Sequence, residues 1–404
     1  YGNLFSMDND GDYPGEKERA LYITEGSEHG WRLNWQWLRK QDFTKISGIS
    51  AYNPWMEEKL FLPDREDFAA YITPTIGNFG PGPCGFTSNP GTALSKDLAD
   101  SFFMTNQQNQ IRVFKFLPKG ASFKFEEGKA IKGGIGNTGL AVGPDGALYS
   151  ASWGSGKGFI FRFDTESEED HHPARKETQK ILSLDSEIQD IKTLAAWLDS
   201  PDQRVRMKGQ FELVNRGDEG LEALKQKLDS GTLLGRLHAV WGIGMAARKD
   251  PSKLVFLKTA LDSKDDEVLA QTAKVIGDLG TSSSEYKDEL IKGLSHKSDR
   301  VKFFSAIALG NGKVMEASKK LVQFVEENGS KDPYLRHAGS MGFSGTMDPN
   351  EIAKLSSHES KSVKLAAVVA MRRIAAPEIR AFLNDEDELI LVEAARAIHD
   401  DQSI

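Results

Sequence analysis

The spacing of apolar positions divides the chain into two halves with different periods. Up to about residue 165, short apolar runs such as Phe68–Thr73, Ile111–Leu117 and Phe159–Phe163 alternate with Gly, Pro, Asn and Asp, which is typical of antiparallel strands joined by turns. From Ile191 onward the apolar positions recur at helical spacing. The pattern therefore predicts a multidomain protein with a β-half over residues 1–165 and an α-half over residues 190–404.

Seven helical segments of the α-half share one arrangement. Each opens on an apolar residue, here called an anchor, and the anchors are Val205, Leu234, Val268, Val301, Leu335, Val363 and Ile390. A small residue follows four or five positions later and a larger apolar residue usually eight positions later, so that all three lie on one stripe of a helix. An Asp often precedes the anchor as a helix cap: Asp202, Asp266, Asp299, Asp332 and Asp387.

A single helical hairpin of this kind cannot bury its own apolar face, so neighbouring hairpins must stack. The anchored segments resemble HEAT repeats. The sequence therefore predicts an α-solenoid of about seven HEAT-like hairpins over residues 190–404.

The β-half contains clear hairpin signals. In Val142–Tyr149 two apolar stretches flank a Pro-Asp-Gly turn, and Ser155–Gly158 marks a second turn. Short strands without intervening helices suggest two to three blades of a partial, incomplete β-propeller. Residues 166–189 are predicted to be a polar linker because Thr165–Lys180 is almost entirely charged and polar, with a metal site at His171 and His172 as the alternative.

Composition excludes several classes of protein. The 404 residues carry a formal net charge of −8, which disfavours nonspecific nucleic-acid binding, and no apolar run is long enough to span a membrane. Cys84 is the single cysteine, so this chain holds no internal disulfide, no cysteine-based zinc site and no C-x-x-C-H haem attachment.

Two stretches near the N-terminus carry candidate chemistry. Asp8, Asp10 and Asp12 present alternate oxygen ligands that suit a hard cation such as Ca²⁺, although the same residues also fit a polar surface turn. Downstream, His29 beside a glutamate fits an acid–base pair and Arg32 fits an anion-binding residue. The structural alternative is that both residues close a blade.

The α-half adds a repeating basic position beside its anchors. It comprises Arg204, Arg206, Arg236, Arg300, Lys302, Arg336 and Lys364. One interpretation is a basic stripe that binds an acidic protein partner on the concave face. The other is a set of side chains that bond to the aspartates of neighbouring helix caps.

Six segments of the β-half resemble the late blades of soluble quinoprotein glucose and sorbosone dehydrogenases. They are Asn3–Asp12 with Glu25–Arg32, Pro81–Phe86 with Leu98–Met104, Ile111–Phe116 and Gly143–Tyr149. A propeller of this type followed by HEAT repeats is similar to the PVC-type haem-binding CxxCH proteins, also called membrane-bound dehydrogenases.

The resemblance implies pyrroloquinoline quinone (PQQ) held with Ca²⁺, oxidation of a sugar or an alcohol, and a periplasmic or extracellular location. If any part of this chain contacts the cofactor, we expect Arg32 and His29 to do so, with Asp8, Asp10 and Asp12 as ligands of the cation. Too few blades are present for a whole propeller, and Asn137–Leu140 lacks the Arg-Asp pair that many members carry there.

Two functions are therefore expected. The first is a portion of a quinoprotein dehydrogenase-like protein, catalytically incomplete on its own, whose missing blades or a partner cover the strand edge near residue 1. The second is a stand-alone HEAT-repeat scaffold that binds a protein without enzymatic activity. In either case we expect the β-half to pack on the first repeat through the regions of Trp153 and Trp197.

Overall fold

Strands occupy the first part of the chain and helices the second in the computed structural model. It describes residues 2–11, 13–30, 54–65, 67–80, 82–106, 110–132, 137–153 and 156–400. The strands of these ranges are β1 Leu4–Asp8, β2 Glu18–Ile23, β3 Gly77–Phe79, β4 Pro83–Ser88, β5 Phe102–Asn106, β6 Gln110–Lys119, β7 Ser122–Glu127, β8 Ile131–Lys132, β9 Asn137–Val142, β10 Leu148–Ser152 and β11 Phe159–Phe163.

The strands form three small antiparallel sheets. The first sheet has the order β1-β2-β3, the second β4-β5-β6-β7 with β8 also paired to β6, and the third β11-β10-β9. Aromatic rings join the first sheet to the second, because Phe5 stacks on Phe116 with ring centroids 4.2 Å apart and meets Phe123 edge-on at 5.0 Å. The prediction of antiparallel β structure is confirmed, while three small sheets do not by themselves establish a propeller.

The α-helices of the described ranges follow one another with short connections. They are α1 Pro54–Glu57, α2 Arg175–Ser183, α3 Ile191–Trp197, α4 Gln203–Asn215, α5 Asp218–Ser230, α6 Leu233–Lys249, α7 Asp266–Gly277, α8 Lys287–Gly293, α9 Asp299–Asn311, α10 Ser318–Asn328, α11 Pro333–Thr346, α12 Pro349–Lys354, α13 Lys361–Arg373 and α14 Glu388–Asp400. Longer 3-10 segments take the place of a first helix at Pro251–Asp262 and Pro377–Phe382.

The second helices of the hairpins stack on one another as one layer, here called the inner layer. Its members are α4, α6, α7, α9, α11, α13 and α14. Six of the seven anchors are buried at the starts of these helices, as expected for residues that face the next hairpin. Leu234 is only half-buried, because Leu237 takes the core position of α6. The predicted solenoid of HEAT-like hairpins is confirmed.

The helix caps differ from the expected set at two positions. Asp202 and Asp332 accept hydrogen bonds from the backbone N–H groups of Arg204 and Tyr334, as predicted. At α7, however, the cap is Asp265, which has extended backbone angles, and Asp266 is the first helical residue. At α9 the cap position belongs to Ser298, so Asp299 likewise lies inside the helix.

The polar interval 166–189, predicted to be a linker, contains the helix α2. Arg175 is buried and donates to both carboxylate oxygens of Asp164 at 2.7 Å and to the carbonyl oxygen of Asp145 at 2.6 Å. A polar segment can pack in this way because its charged groups find partners inside the protein. The interval is therefore attached to the third sheet through Arg175, while most of its other side chains are exposed.

Two features are absent from the described ranges. Within the described ranges no group of three or more His, Cys, Asp or Glu residues is placed to hold a metal, and His171 instead lies 3.4 Å from Asp164. None of the helices in those ranges has the length and apolar character that crossing a bilayer requires.

Candidate functional site

The inner layer of the solenoid faces the β-half of the same chain along most of its length. At the C-terminal end, the guanidinium groups of Arg372 and Arg396 lie over the Tyr71 ring, at 4.2 and 5.6 Å from its centroid. The backbone N–H of Tyr71 lies 3.4 Å from the carboxylate of Glu393, which is itself buried. The last two inner helices therefore hold residues that come more than 300 positions earlier in the sequence.

In the middle of the layer, Arg300 joins α9 to the first sheet. Its guanidinium donates to the Glu267 carboxylate at 2.7 and 2.8 Å and to the side-chain oxygen of Asn3 at 3.0 Å. It also lies over the Phe123 ring at 5.2 Å. Because a buried charge is tolerated when it is paired, these partners allow a buried arginine at the junction of the two halves.

The helix α11 supplies three further contacts to the β-half. His337 Nε2 lies 2.8 Å from the carbonyl oxygen of Glu25, and the Tyr334 hydroxyl donates to the carbonyl oxygen of Pro74 at 3.0 Å. The cap residue Asp332 accepts from the backbone N–H of Ala121 at 2.9 Å. Burial lowers the pKa of His337 to about 4, so the ring is neutral at pH 7 and its Nε2–H donates to Glu25.

The first hairpin contacts the β-half through turns and not through large aromatic residues. Arg204 donates to the carbonyl oxygen of Gly143 at 2.7 Å, and the Thr92 hydroxyl donates to Asp202 at 2.6 Å. The expected role of Trp153 is wrong, since its side chain is 77% exposed. Trp197 is buried inside the solenoid, with Lys208 over its ring at 6.0 Å. Hydrogen bonds of a turn carbonyl and of a threonine hydroxyl, which side-chain size does not reveal, contribute to this junction.

All seven residues of the predicted basic stripe bond within the chain. Arg204 and Arg300 bond to the β-half, whereas the other five bond to the solenoid itself. These bonds join Arg206 to the carbonyls of Ser200 and Pro201, Arg236 to Leu228 and Ser263, Lys302 to Asp299 and Asn328, Arg336 to the carbonyl of Gly329, and Lys364 to Asp385. Two residues of the stripe, Arg204 and Arg300, thus help to hold the N-terminal half on the inner layer.

The candidate catalytic residue His29 is buried at a turn. Its Nδ1 lies 3.2 Å from the carbonyl oxygen of Thr73 and its Nε2 lies 3.0 Å from the Ser27 hydroxyl. Burial, reinforced by the nearby positive charge of Arg19, lowers the pKa of His29 to about 4. With both ring nitrogens engaged, the described surroundings favour the structural role of His29.

The candidate calcium ligands are placed only in part. Asp8 forms an ion pair with buried Arg19 at 3.3 Å and accepts from the Ser6 hydroxyl at 2.7 Å, and Asp10 lies in the turn that follows β1. Asp12 and Arg32 lie outside the described residues. Because Asp12 is needed to complete the predicted ligand set, calcium binding stays a prediction.

An apolar groove on the inner layer escaped the sequence analysis. Met207 and Phe211 of α4, Trp241 and Met245 of α6 and Val275 of α7 line a groove of about 300 Å³. Met207 and Phe211 are 37% and 43% exposed, which is unusual for large apolar side chains on a packed face. In the sequence, Met207 and Phe211 form a second apolar stripe of the helix that begins two positions after the Val205 anchor. Periodicity alone would place this stripe in the core.

Polar side chains lie under this groove and beside it. His238 Nδ1 is 2.7 Å from the Gln210 side-chain oxygen, and the Trp241 indole N–H donates to the Gln271 side-chain oxygen at 3.1 Å. Burial lowers the pKa of His238 to about 3, so the imidazole is neutral. At the rim, Asp278 pairs with Arg248 at 3.2 Å and with Lys274 at 3.0 Å.

One end of the groove is in contact with the N-terminal segment of the chain. Gly2 lies so close to Trp241 that a Cβ there would be 2.8 Å from the indole ring and 3.4 Å from the Gln271 side-chain oxygen. The next residue, Asn3, accepts the hydrogen bond from Arg300, and β1 begins at Leu4. The inner layer thus already holds one short stretch of polypeptide beside the groove.

Comparisons with known proteins support no assignment to a family. No protein-family model matches the chain, and no curated protein matches it. An archaeal HEAT-like repeats protein from Thermococcus onnurineus NA1 is 16% identical over 45% of this chain and 79% of its own, with a TM-score of 0.32. The designed armadillo repeat protein YIII(Dq.V1)4CPAF, in complex with the peptide (KR)4, is 19% identical over 52% of this chain and 99% of its own, with a TM-score of 0.28. At these low scores, the description of the fold rests on the helical hairpins themselves.

Proposed function

We propose that this protein is an interaction scaffold whose solenoid carries the β-half and binds a further protein segment in the groove of the inner layer. The observation that carries the proposal is the continuity between the Gly2–Asn3 segment, which lies against Trp241 and Arg300, and the open groove beyond Trp241. The groove is thus continuous with a surface against which one short stretch of the chain already lies.

The lining of the groove fits a peptide with apolar side chains. Met207 and Met245 are flexible and polarizable, so they adapt to side chains of different shape, while Phe211 and Trp241 supply rigid apolar area. The exposed faces of these residues gain free energy when a partner removes them from water. We therefore propose an extended or turned peptide that inserts one or two apolar residues between α4 and α6.

The rim of the groove adds a preference for charge. Among the side chains that line the groove itself, Arg248 and Lys274 carry two positive charges against the single carboxylate of Asp278, so one positive charge is in excess there; Glu25 lines the adjoining pocket. An acidic residue beside the apolar residue of the partner therefore matches the surface. Binding of an external acidic partner by the seven residues of the basic stripe stays a separate prediction, because their bonds in the structure are intramolecular.

Selection from a random peptide display library on the intact chain tests this function. We expect the selected peptides to share apolar residues with a neighbouring Asp or Glu, and to lose at least tenfold in affinity on the Phe211→Glu variant. Val255→Glu is the matched control, because Val255 is also an exposed apolar residue but lies on the 3-10 segment Pro251–Asp262 away from the groove. Failure to select peptides, or equal binding to Phe211→Glu, would contradict the proposal.

A second hypothesis is that this chain is a portion of a quinoprotein dehydrogenase-like protein. One observation supports the propeller that this hypothesis requires. The first strands of the second and third sheets lie side by side, so close that a Cβ at Gly85 would be 2.6 Å from the backbone nitrogen of Leu140. Neighbouring blades of a propeller meet in this way near their centre. A periplasmic or extracellular location belongs to the same hypothesis.

The described residues do not fit a quinone site. His29 is buried with both ring nitrogens engaged, and Asp8 is paired with Arg19. Titration with PQQ, with and without Ca²⁺ and followed by tryptophan fluorescence, decides the question. Saturable, calcium-dependent quenching would support the hypothesis, whereas no quenching at high micromolar PQQ would reject it for this chain.

A further inference from the structure

The third sheet ends on a strand that has a partner on one side only. Its order is β11-β10-β9, so β11 pairs with β10, and no strand of the described ranges pairs with its other edge. The second sheet runs through its first three strands in the same way, but there β7 pairs with the third of them, β6. Among the described residues, the third sheet therefore lacks a counterpart of β7 beside β11, and this side of β11 is here called the open edge.

The turn between β9 and β10 shows which backbone groups of β10 face each of its neighbours. The Gly143 N–H donates to the carbonyl oxygen of Ala147 at 2.9 Å. Hydrogen-bonded pairs alternate with non-bonded pairs along antiparallel strands, so the next bonded pair is Ala141 with Tyr149. Ser150, the residue after this pair, consequently directs its N–H and C=O groups to the opposite side, toward β11.

The same alternation continues into β11. Ser150 lies opposite Phe161 in a hydrogen-bonded pair. The neighbouring residues Ile160 and Arg162 therefore direct their N–H and C=O groups away from β10, to the open edge. Ile160 is 77% exposed, and Arg162 is also exposed. A row of outward N–H and C=O groups at a sheet edge is a template for pairing with a further strand.

One face of β11 carries a row of phenylalanines beside the open edge. Phe159, Phe161 and Phe163 alternate along the strand, with successive ring centroids 6.2 and 6.4 Å apart. Phe163 packs on the core between the second and third sheets, Phe161 is half-buried and Phe159 is 54% exposed. The row therefore starts in the core and continues as apolar surface along β11.

The second sheet shows how such a row is covered. On β6, Phe114 and Phe116 alternate in the same way, and Phe125 of β7 lies against both, with ring centroids 5.3 and 6.2 Å away. The polar residues Lys124 and Glu126 alternate with the phenylalanines of β7 and occupy its other face. A strand that covers the row on β11 therefore needs apolar and polar residues in the same alternation.

We propose that an extended segment of another polypeptide adds to the third sheet as its fourth strand, antiparallel to β11. Main-chain hydrogen bonds to Ile160 and Arg162 hold the segment, and its apolar residues pack on the phenylalanine row, as Phe125 does on β6. The main-chain bonds supply affinity for many sequences, whereas the row selects segments with an apolar residue at every second position. The site is separate from the groove of the inner layer, which lies on α4, α6 and α7.

A fluorescein-labelled peptide with the sequence of β7, Ser122–Glu127, is the probe, and its fluorescence anisotropy is measured with the full chain at up to about 500 μM. We expect saturable binding that Ile160→Pro weakens roughly tenfold or more, because proline removes an outward N–H but none of the bonds between β10 and β11. Ile160→Ala is the matched control, since it keeps the N–H and loses most of the side chain. It should bind within roughly threefold of the unsubstituted chain.

N-methylation of the probe tests the main-chain bonds without altering the protein. Residues that lie opposite each other in a ladder share a face and a bonding pattern. Because the phenylalanines of the probe pack on the phenylalanine row, the amides of Lys124 and Glu126 are the ones that point to β11. Methyl groups on these two amides should abolish binding, whereas methyl groups on the amides of Phe123 and Phe125, which point to solvent, should preserve it.

Several results would overturn the inference. They are the absence of saturable binding, equal binding to Ile160→Pro once circular dichroism shows that this variant is folded, and equal binding of the two methylated peptides. Loss of binding on Phe211→Glu would place the peptide in the groove instead. Self-association of the chain without peptide, if Ile160→Pro abolishes it in sedimentation velocity, would assign the open edge to a second copy. If Ile160→Pro unfolds, the two methylated peptides decide.

Discussion

The Arg300 guanidinium donates a 3.0 Å hydrogen bond to the side-chain oxygen of Asn3, a residue 297 positions earlier in the chain. The same arginine pairs with Glu267 on the neighbouring helix and covers Phe123 of the second sheet. One buried side chain thus connects two inner helices to two sheets. Loss of this side chain should loosen the junction between the β-half and the solenoid.

Arg300→Ala should lower the free energy of unfolding by about 3 kcal/mol, because it leaves Glu267 largely buried without its charge partner. Urea denaturation gives the energy, and hydrogen exchange of the β1 amides reports whether the first sheet loosens. Lys287→Ala is the control, since the Lys287–Glu316 pair is exposed and should change stability little. Equal effects of the two substitutions would contradict the role given to Arg300.

His337→Gln should reduce the loss of stability in acid. Burial, together with the nearby cations Arg373 and Arg336 and with His29, lowers the pKa of His337 from 6.5 to about 4. Between those pH values the unfolded chain binds more protons at His337 than the folded chain does. The contribution of His337 to the free energy of unfolding is therefore complete above pH 6.5 and is lost as the pH drops toward 4. The full difference is roughly 3 kcal/mol.

Glutamine keeps a donor for the Glu25 carbonyl but does not titrate, so the difference between the two proteins isolates the contribution of His337. The measurement is urea unfolding at pH 7.5, 6, 5 and 4.5. Parallel stability curves for the two proteins would show that His337 titrates normally in the folded state.

Gly91→Ala should destabilise the contact between the β-half and the first hairpin. Gly91 has a φ of +122°, and a Cβ there would lie 2.1 Å from the carbonyl oxygen of Pro201. We expect a loss of about 3 kcal/mol or more from backbone strain and overpacking together. Gly156→Ala is the matched control, because Gly156 also has a positive φ but no atom within 4 Å of its Cβ position. The control should lose about 1 kcal/mol in thermal or urea unfolding, from strain alone.

Arg175→Ala should release α2 from the third sheet and raise the pKa of Asp164. Partial burial alone would raise that pKa, but hydrogen bonds from Arg175 and from the Thr165 N–H bring it down to about 2. Asp164 therefore stabilises the fold above its ordinary pKa of 3.8, and this contribution is lost as the pH falls toward 2. Carboxyl NMR titration should show the pKa moving toward 3.8 in the variant; an unchanged value would exclude Arg175 as a main cause.

The periodicities of the sequence were informative because each half is built from local rules. Anchors such as Val268 and Val363 repeat at a spacing that only stacked helical hairpins satisfy, and the Pro-Asp-Gly turn at Pro144 dictates the hairpin around it. Caps were predicted to within one residue, since a cap depends on local backbone angles. Arg175, by contrast, lies in a segment whose composition predicts a polar linker, because composition does not reveal that Arg175 pairs with Asp164.

The candidate site depended on packing between the halves, which no local rule describes. The basic stripe was visible in the sequence, but its bonds to Asn3 and Gly143 arise only when the β-half lies on the inner layer. The groove at Met207 and Phe211 was hidden for the same reason, because an apolar residue at helical spacing is equally consistent with a core position and with an open face. Whether such a residue is exposed depends on which elements of the tertiary structure pack beside it.

The sequence by itself determined the two kinds of secondary structure, the place where one gives way to the other, and the repeat of the solenoid, because period and turn chemistry are properties of neighbouring residues. Only the tertiary structure decided which surfaces of the repeats are covered and which stay open. That outcome depends on contacts such as Arg300 with Asn3, between residues far apart in the chain, and the free energy of those contacts exists only once both halves are folded and in place.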